Sequence, residues 1–409
     1  MKNKPIYLDY QATTPCDPRV FAIMAPYFTE VFGNAASRSH AYGWEAEDAV
    51  SKARAQVANA LGATEKEIIF TSGSTEAINL ALKGVVDMYG KKDAACPGHI
   101  VTSLAEHKAV LDTCKHLETQ GVEVTYLKPD RTGRHSAAQV AEALRDDTLL
   151  VAIMWVNNEV GSINPIEDIG KLCKERGVLF FSDATQAVGK IPIDVEAAGV
   201  DLLCLSGHKV YGPKGVGALY VRRRKPRVRL VAQMDGGGHE RGMRSGTLNV
   251  PAIVGLGAAC ELAVQELDKD RAHSRALRDR FEKIIFENLD HVHINGDPEH
   301  RVDLCSNLSF SYVEGESLIM GISGLAVSSG SACTSASLEP SHVLMSMGVG
   351  DELAHSSIRF GFGRFATDSD VDEAAKETIA AVKKLRELSP LYEMVQEGID
   401  LSTVTWTAH

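Results

Sequence analysis

Short apolar runs alternate with helical patterns through the middle of the chain. Each run is bounded by polar or glycine-containing segments, as is typical of a buried strand. The runs lie at residues 67–71, 99–102, 149–154, 177–181, 201–205 and 217–221. Because strands that alternate with helices form sheets covered on both faces, the pattern predicts an α/β fold with a mostly parallel sheet.

Helical periodicity is clearest before the first of these strands. One predicted helical face consists of Val50, Ala53, Val57 and Leu61. Gly62 follows directly, and glycine at this position favours a helix end. This segment is therefore predicted to be a helix that packs on the sheet.

The C-terminal part has a different pattern. A long helical stretch over residues 252–289 leads to strands predicted at 307–312 and 357–360. A last helix begins near Asp368 or Ser369. Its inward face is predicted to hold Val371, Ala375, Ile379, Val382 and Leu385. These elements indicate a second, smaller α/β unit.

At 409 residues, the chain is long enough for two hydrophobic cores. We expect a large domain over residues 15–262. Residues 1–14 and 263–409 are predicted to form a smaller C-terminal α/β domain, in which the place of the N-terminal segment is a hypothesis.

Composition narrows the functional classes. The net charge of -11 argues against general nucleic-acid binding. The eight cysteines are scattered with no Cys-x-x-Cys pair, which fits neither a disulfide framework nor a zinc site. No apolar stretch has the length of a membrane span, and the N-terminus lacks the apolar core of a signal peptide. The sequence therefore predicts a cytoplasmic protein without a membrane association.

A basic run covers Arg222–Arg229. A solvated strand end and turn is the simpler interpretation for most of its residues. A docking site for an acidic protein partner is the alternative.

Lys209 follows the apolar run 201–205 in Ser206-Gly207-His208-Lys209, and a glycine-rich turn comes next. Ligands of open α/β sheets bind at the carboxyl ends of strands. A lysine there can form a Schiff base with pyridoxal phosphate (PLP), a cofactor that acts as an electron sink. A single lysine of this kind is more often a solvated surface residue, so the assignment depends on the other strand ends.

The segment Thr71–Glu76 follows another strand and opens a helix. Gly73 allows a close backbone approach, the helix N-terminus offers unpaired N–H groups, and Ser74 and Thr75 add hydroxyls. Together they form a cradle suited to a phosphate. An ordinary helix cap is the alternative.

Two further strand ends carry suitable side chains. Asp183 could pair with a protonated pyridine nitrogen, and Gln186 could contact the ring hydroxyl. His107 could stack on the ring and move protons. A helix-capping aspartate and a structural histidine are the alternatives, but a cradle, a carboxylate and a lysine at three strand ends reinforce one another.

The segment Val327–Ser337 is small and polar, which predicts a flexible loop. Cys333 in this loop would be exposed, as suits a nucleophile or carrier, although a spare surface cysteine is the alternative. Arg359 lies within a predicted strand and needs an anionic partner. That partner could be a substrate carboxylate or a structural carboxylate.

These residues resemble the cysteine desulfurases of the IscS type, a family of class V, fold-type I PLP enzymes that serves iron–sulfur cluster assembly. The resemblance runs nearly end to end. The segments that carry it are 7–15, 106–108, 157–159, 183–186, 206–209, 236–242, 328–335 and 389–394. The lysine motif is shared with other class V enzymes, whereas the serine-rich cysteine loop is far more specific.

The resemblance implies a role for each matching residue. Lys209 would be the Schiff-base lysine, Asp183 the partner of the pyridine nitrogen, and Cys333 the sulfur acceptor. The remaining cofactor contacts would come from His107, Gln186, Ser74, Thr75, Ser206 and His208. Thr247 would reach the phosphate in the neighbouring subunit, which implies a homodimer. Asn158 and Arg359 would hold the substrate.

The implied reaction converts L-cysteine to L-alanine and a Cys333 persulfide. The implied partners are an iron–sulfur scaffold protein, with the segment Leu391–His409 helping to dock it, and other sulfur acceptors of thiolation pathways. No resident metal is expected, although Cys333 could transiently ligate an iron–sulfur cluster. An aminotransferase or selenocysteine lyase and a non-catalytic scaffold remain as alternatives.

Overall fold

The computed structural model describes residues 4–91, 96–329 and 340–399. The strands in these residues are β1 Ile6–Tyr7, β2 Ile68–Thr71, β3 His99–Ser103, β4 Glu123–Leu127, β5 Thr148–Ala152, β6 Leu179–Asp183, β7 Leu202–Ser206, β8 Gly217–Val221, β9 Val292–Asn295, β10 Cys305–Phe310, β11 Leu325–Ala326, β12 Ser328–Ser329 and β13 Ser357–Gly361. The α-helices are α1 Pro18–Met24, α2 Ala41–Leu61, α3 Ser74–Tyr89, α4 Lys108–Glu118, α5 Ala137–Ala143, α6 Ile166–Arg176, α7 Val250–Gln265, α8 Leu267–Asn288, α9 Gly315–Gly321, α10 His342–Ser346, α11 Asp351–His355, α12 Asp368–Glu387 and α13 Pro390–Gln396.

The central sheet has seven strands in the order β2-β8-β7-β6-β5-β3-β4. Neighbouring strands are parallel except for β8, which is antiparallel to both β2 and β7. The mostly parallel sheet covered by helices confirms the predicted α/β fold.

Both faces of this sheet are buried, so its strands carry consecutive apolar residues. Phe180 and Leu203 belong to one hydrophobic cluster, whereas Phe181 and Leu202 belong to another. Because successive strand residues point to opposite faces, one strand supplies both layers. This explains why the strands were visible as apolar runs in the sequence.

The helices begin and end where local chemistry directs them. Gly62 ends α2 with φ 67°, a left-handed conformation that glycine adopts without strain, as predicted. The predicted helical stretch 252–289 is two helices, α7 and α8, which meet at Glu266 and are bent by 73°. Glu266 accepts hydrogen bonds from Arg19, and this contact lies at the break.

A smaller antiparallel sheet has the order β12-β13-β10-β9. The N-terminal strand β1 pairs in parallel with β11, which one residue separates from β12 of this sheet. The predicted boundary between the two domains falls between residues 262 and 263, which both lie within helix α7. No loop or linker marks this boundary, so the division into two domains stays a prediction.

The length and composition of the helices bear on the question of a membrane span. In the residues that the structure describes, no single helix is long and apolar enough to cross a membrane, and only the bent pair α7–α8 has the combined length and composition.

In the basic run, residues 224–227 are exposed, as expected. Arg222 is instead buried, because it pairs with Glu196 at 2.6 Å and with Asp201 at 3.0 Å.

Candidate active site

The carboxyl ends of β2, β6 and β7 meet at a cleft of about 570 Å³. Ten of the predicted site residues line it: Ser74, Thr75, His107, Asn158, Asp183, Gln186, Ser206, His208, Lys209 and Arg359. Thr247 is exposed and does not line the cleft, so its role toward a second subunit stays a prediction. Cys333 lies outside the described residues.

Lys209 ends a single 3₁₀ turn, Gly207–Lys209, directly after β7. Its Nζ donates hydrogen bonds to the backbone oxygens of Gln11 at 2.5 Å and Ala12 at 2.8 Å. The amine is therefore held in the cleft by the N-terminal segment. No site role was predicted for this segment from the sequence, although Gln11, Ala12 and Thr13 all line the cleft.

The predicted phosphate cradle lies at the N-terminus of α3. The backbone N–H groups in the first turn of such a helix have no intrahelical partner, and the helix dipole favours an anion there. Gly73 is the residue before the helix and lies beside Ser206, whose Oγ would be 3.6 Å from a Cβ placed on Gly73. The Ser74 hydroxyl is hydrogen-bonded to Thr185 at 2.6 Å, which fixes the orientation of its side chain in the cleft.

Gly217 makes this arrangement possible. It is the first residue of β8 and pairs with both Thr71 and Ser206, at the ends of β2 and β7. A Cβ here would lie 2.5 Å from the Leu205 oxygen and 2.7 Å from Gly73 Cα. Only glycine fits this close approach of three backbone segments.

Asp183 is the last residue of β6 and is buried. Its Oδ1 accepts hydrogen bonds from the Thr185 N–H at 2.9 Å and from the Cys204 thiol at 3.2 Å. Burial and the nearby Asp183 raise the pKa of Cys204 well above its usual range, which keeps this thiol protonated as a donor. The carboxylate is thus fixed in orientation at the cleft wall.

The two histidines of the cleft are neutral. His107 precedes α4, and its Nδ1 accepts the Ala109 N–H at 3.1 Å, which leaves the ring proton on Nε2. Burial lowers the pKa of His107, although Asp183 opposes this shift. Burial and the charge of Lys209 lower the pKa of His208 to about 4.

Gln186 is held from both ends of its amide. Nε2 donates to the Gln11 oxygen at 2.8 Å, and Oε1 accepts from Lys190 Nζ at 2.6 Å. Burial and the charge of Lys209 lower the pKa of Lys190 well below its usual range. The contact between Lys190 and Gln186 was not predicted from the sequence, although residues four positions apart are often close enough to contact each other.

Arg359 lies on β13 and projects into the same cleft. It donates from Nη1 to the Asn158 oxygen at 2.8 Å and from Nη2 to Asp9 Oδ1 at 2.7 Å. The structural ion pair considered as an alternative is therefore present, with Asp9 as the carboxylate. Nε of Arg359 and Oδ1 of Asn158 are nevertheless buried without a hydrogen-bond partner, which suits a polar ligand between them.

The prediction of a flexible loop over residues 327–337 is wrong for Ser328 and Ser329. These residues form β12 and pair with β13, where Ser328 lies opposite Arg359. The Ser328 hydroxyl also donates to Asp9 Oδ2 at 2.8 Å, which fixes the start of the segment. Residues 330–337 lie outside the described part of the chain.

The polar groups in the cleft fit PLP and the carboxylate of an amino acid. An amine, a carboxylate and an anion-binding helix terminus lie in one cleft, and the unpartnered Arg359 Nε lies in the same place. Within residues 4–91, 96–329 and 340–399, no cluster of histidine, cysteine, aspartate or glutamate side chains has the arrangement of a metal site.

Comparisons with known proteins agree with this chemistry. A family model described as aminotransferase class-V matches residues 6–374. A relative from Anaeromyxobacter dehalogenans, named cysteine desulfurase IscS, is 59% identical over 402 residues, which cover 98% of each chain. A relative of the same name from Rickettsia felis is 57% identical and covers 100% of this chain and 98% of its own.

Solved structures give the same result. A NifS-like protein matches with a TM-score of 0.85 at 36% identity, covering 93% of this chain and 100% of its own. A structure described as SspA in complex with cysteine matches with a TM-score of 0.77 at 39% identity, covering 88% of this chain and 99% of its own. The chain belongs to the aminotransferase class-V family and, within it, to the IscS-type cysteine desulfurases.

Proposed function

We propose that this protein is a PLP-dependent cysteine desulfurase, which converts L-cysteine to L-alanine and transfers the sulfur to Cys333. The observation that carries the proposal is the meeting of Lys209, Asp183 and Arg359 with the N-terminus of α3 in one cleft. The relatives named cysteine desulfurase IscS and the neighbour that binds cysteine support the choice of substrate.

Bound PLP would supply an aldehyde for amines and a ring that accepts electrons from the substrate Cα. Lys209 would hold the aldehyde carbon, and Asp183 would hold the ring nitrogen in its protonated form. The phosphate would lie at the start of α3, with Thr75, Ser206 and His208 around it. Gln186 and His107 would contact the ring.

The substrate carboxylate would bind at Arg359 and Asn158. The Arg359 Nε is a buried donor without a partner, and an unsatisfied buried donor costs free energy until a ligand pairs with it. A carboxylate accepts two hydrogen bonds from a guanidinium in a fixed geometry, which would orient the Cα of the amino acid.

Two residues of the chain are placed to move protons. Lys209 would take the proton from the substrate Cα once its amine is released. Burial lowers the pKa of His107 and its Nδ1 accepts the Ala109 N–H, so its Nε2 would carry the ring proton that it exchanges with the substrate. Both groups line the same cleft.

Cys333 would complete the reaction as a nucleophile. Its thiolate attacks the substrate sulfur, the Cβ–S bond breaks with its electrons left on carbon, and a sulfur–sulfur bond forms. Protonation of that carbon and return of the proton from Lys209 to Cα give L-alanine, and the enzyme retains the sulfur as a Cys333 persulfide. Overall, L-cysteine and one thiol give L-alanine and one persulfide.

We further propose a homodimer in which Thr247 serves the partner's cofactor. Exposed apolar side chains around α1 and α2 support a protein interface there: Phe21, Ile23, Phe28, Phe32, Tyr42 and Trp44. The proposed partners beyond the dimer are an iron–sulfur scaffold protein and other sulfur acceptors.

Mass spectrometry after incubation with L-cysteine tests this function, with alanine assayed in parallel. We expect a sulfur-mass adduct on the Cys333 peptide and release of alanine. Cys333→Ser should bind PLP but form no adduct, whereas Cys96→Ser, which removes a half-buried thiol elsewhere, should behave as wild type.

The other outcomes are distinct. Alanine without an adduct at Cys333 would contradict the role of this cysteine. A keto acid in place of alanine would contradict desulfuration and favour the aminotransferase alternative.

A further inference from the structure

One carboxylate joins two neighbouring strands beside the cleft, β12 and β13. Asp9 Oδ1 accepts a hydrogen bond from Arg359 Nη2 at 2.7 Å, and Asp9 Oδ2 accepts one from the Ser328 hydroxyl at 2.8 Å. The side chains of Asp9 and Arg359 are 16% and 8% exposed. The ion pair is therefore largely screened from water.

The contacts of Arg359 determine which of its edges is available. A guanidinium has five N–H donors in one plane. Nη1 donates to the Asn158 oxygen and Nη2 to Asp9, whereas Nε is buried without a partner. Asp9 and the Asn158 carbonyl therefore fix the plane of the guanidinium and leave its Nε unpaired for a ligand.

The backbone of Asp9 is itself anchored. The Tyr7 hydroxyl donates its single proton to the backbone oxygen of Thr13 at 2.7 Å and lies 3.0 Å from the backbone oxygen of Asp9, so it closes the segment between them into a compact turn. The same segment presents the Gln11 carbonyl that holds Lys209. Asp9 thus has a fixed position relative to both the arginine and the lysine.

We propose that Asp9 is a positioning residue for the substrate carboxylate, acting through Arg359, and that Ser328 holds Asp9 in the required rotamer. Asp9 is not among the residues that line the cleft, so we assign it no direct contact with substrate or cofactor. Its effect on binding is transmitted by the orientation of the guanidinium and by a charge-assisted hydrogen bond, which is about twice as strong as a neutral one. This inference rests on the proposed function.

Graded variants separate orientation from charge. Asp9→Ala removes the hydrogen bond and the charge, and we expect KM for L-cysteine to rise about tenfold or more with a smaller change in kcat. Asp9→Asn keeps the size and one acceptor, so we expect a rise of about fivefold. Ser328→Ala leaves the ion pair but removes its second anchor, and we expect a rise of about twofold.

Equilibrium binding provides a readout that does not depend on turnover. L-alanine carries the carboxylate, whereas cysteamine has the amine and thiol of cysteine but no carboxylate. Titration of the holoenzyme, followed through the cofactor absorbance, should show weaker binding of L-alanine to Asp9→Ala and unchanged binding of cysteamine. A general distortion of the cleft would weaken both ligands and would overturn the proposal.

A matched control is available in a second buried ion pair. Asp297 is 7% exposed and pairs with Arg134 at 3.0 Å, outside the cleft. Asp297→Ala should reduce stability but leave the binding of both ligands unchanged. If Asp9→Ala does not fold, the same comparison is made with Ser328→Ala.

The outcomes distinguish this inference from the proposed function. Wild-type enzyme that neither binds L-alanine nor desulfurates L-cysteine would contradict the proposed function. Wild-type behaviour as proposed, with unchanged L-alanine binding in Asp9→Ala and Ser328→Ala, would overturn the role of Asp9 alone.

Discussion

Gly217→Ala adds one methyl group where β8 begins between the ends of β2 and β7. The new Cβ would lie 2.5 Å from the Leu205 oxygen, 2.7 Å from Gly73 Cα and 3.0 Å from Gly73 C. All three are backbone atoms, so no side-chain rotation relieves the overlap. One of the segments must move, and Gly73 is the residue that starts the phosphate cradle.

Two opposing terms set the size of the effect. Alanine in a strand interior is favoured over glycine by about 0.5–1 kcal/mol, because glycine loses more backbone entropy on folding. An extra methyl group in a well-packed interior costs about 1–3 kcal/mol. Because the new methyl group overlaps two backbone segments, its cost should lie toward the upper end of this range. After the gain from alanine is subtracted, we expect a net loss of about 1–2 kcal/mol in the free energy of unfolding.

Ligand binding shows where the strain is located. A displaced Gly73 would move the N–H groups at the start of α3, so the affinity for PLP should fall. The fall would reach about 5–30-fold if the cofactor-free protein relieves all of the strain and must take it up again when PLP binds. Pyridoxal lacks the phosphate, and its affinity should change much less. Urea unfolding of the cofactor-free protein and absorbance titrations with both ligands measure the two effects.

The control is Gly350→Ala. Gly350 has φ −60°, and a Cβ there would meet no atom within 4 Å. We expect a change in stability of less than about 1 kcal/mol and no change in PLP affinity. Wild-type stability and wild-type PLP affinity in Gly217→Ala would refute the close-packing argument.

Three further variants test other parts of the structure. Arg222→Met leaves the buried Asp201 carboxylate without its partner and should cost about 3–5 kcal/mol in urea unfolding; a loss below about 1 kcal/mol would contradict the buried ion pair. Burial raises the pKa of Glu159 from 4.5 to about 7, so the folded state binds a proton that the unfolded state has lost and stability falls as pH rises through this range. Glu159→Gln should reduce that fall, to which buried Glu106 with its raised pKa also contributes; the urea midpoint at pH 5 and pH 8 measures it, and an unchanged profile would contradict the assignment. Phe281→Ala should cost about 3–5 kcal/mol, because Phe281 is fully buried against Phe360, and PLP affinity should stay unchanged; a loss of PLP affinity would show that the two regions are coupled.

The cofactor side of the cleft could be predicted from the sequence, because it follows from strand ends. The carboxyl ends of parallel strands meet at one edge, so placing Asp183 and Lys209 after apolar runs was enough to bring them together. The start of α3 joined them for the same reason, since it follows β2 directly.

The substrate side could be predicted only in part. Asp9 and Gln11 reach the cleft through contacts with residues distant in sequence, and no local pattern specifies these contacts. The strand β4 was missed because it lies at the sheet edge, where its residues are only partly buried and form no continuous apolar run. The break at Glu266 lies where this residue pairs with Arg19, which is likewise a long-range contact.

The antiparallel course of β8 has a consequence for the order of assembly during synthesis. β2 emerges early from the ribosome, but among the described strands its only neighbour in the central sheet is β8, which is the last of those strands to be made. The strand β2, which leads into the phosphate cradle, therefore joins the central sheet once Gly217–Val221 is available, although α3 itself already contacts β5, β6 and β7. A nascent chain that ends before β8 lacks the strand that joins β2 to β7, and we expect it to bind the cofactor more weakly than the complete chain.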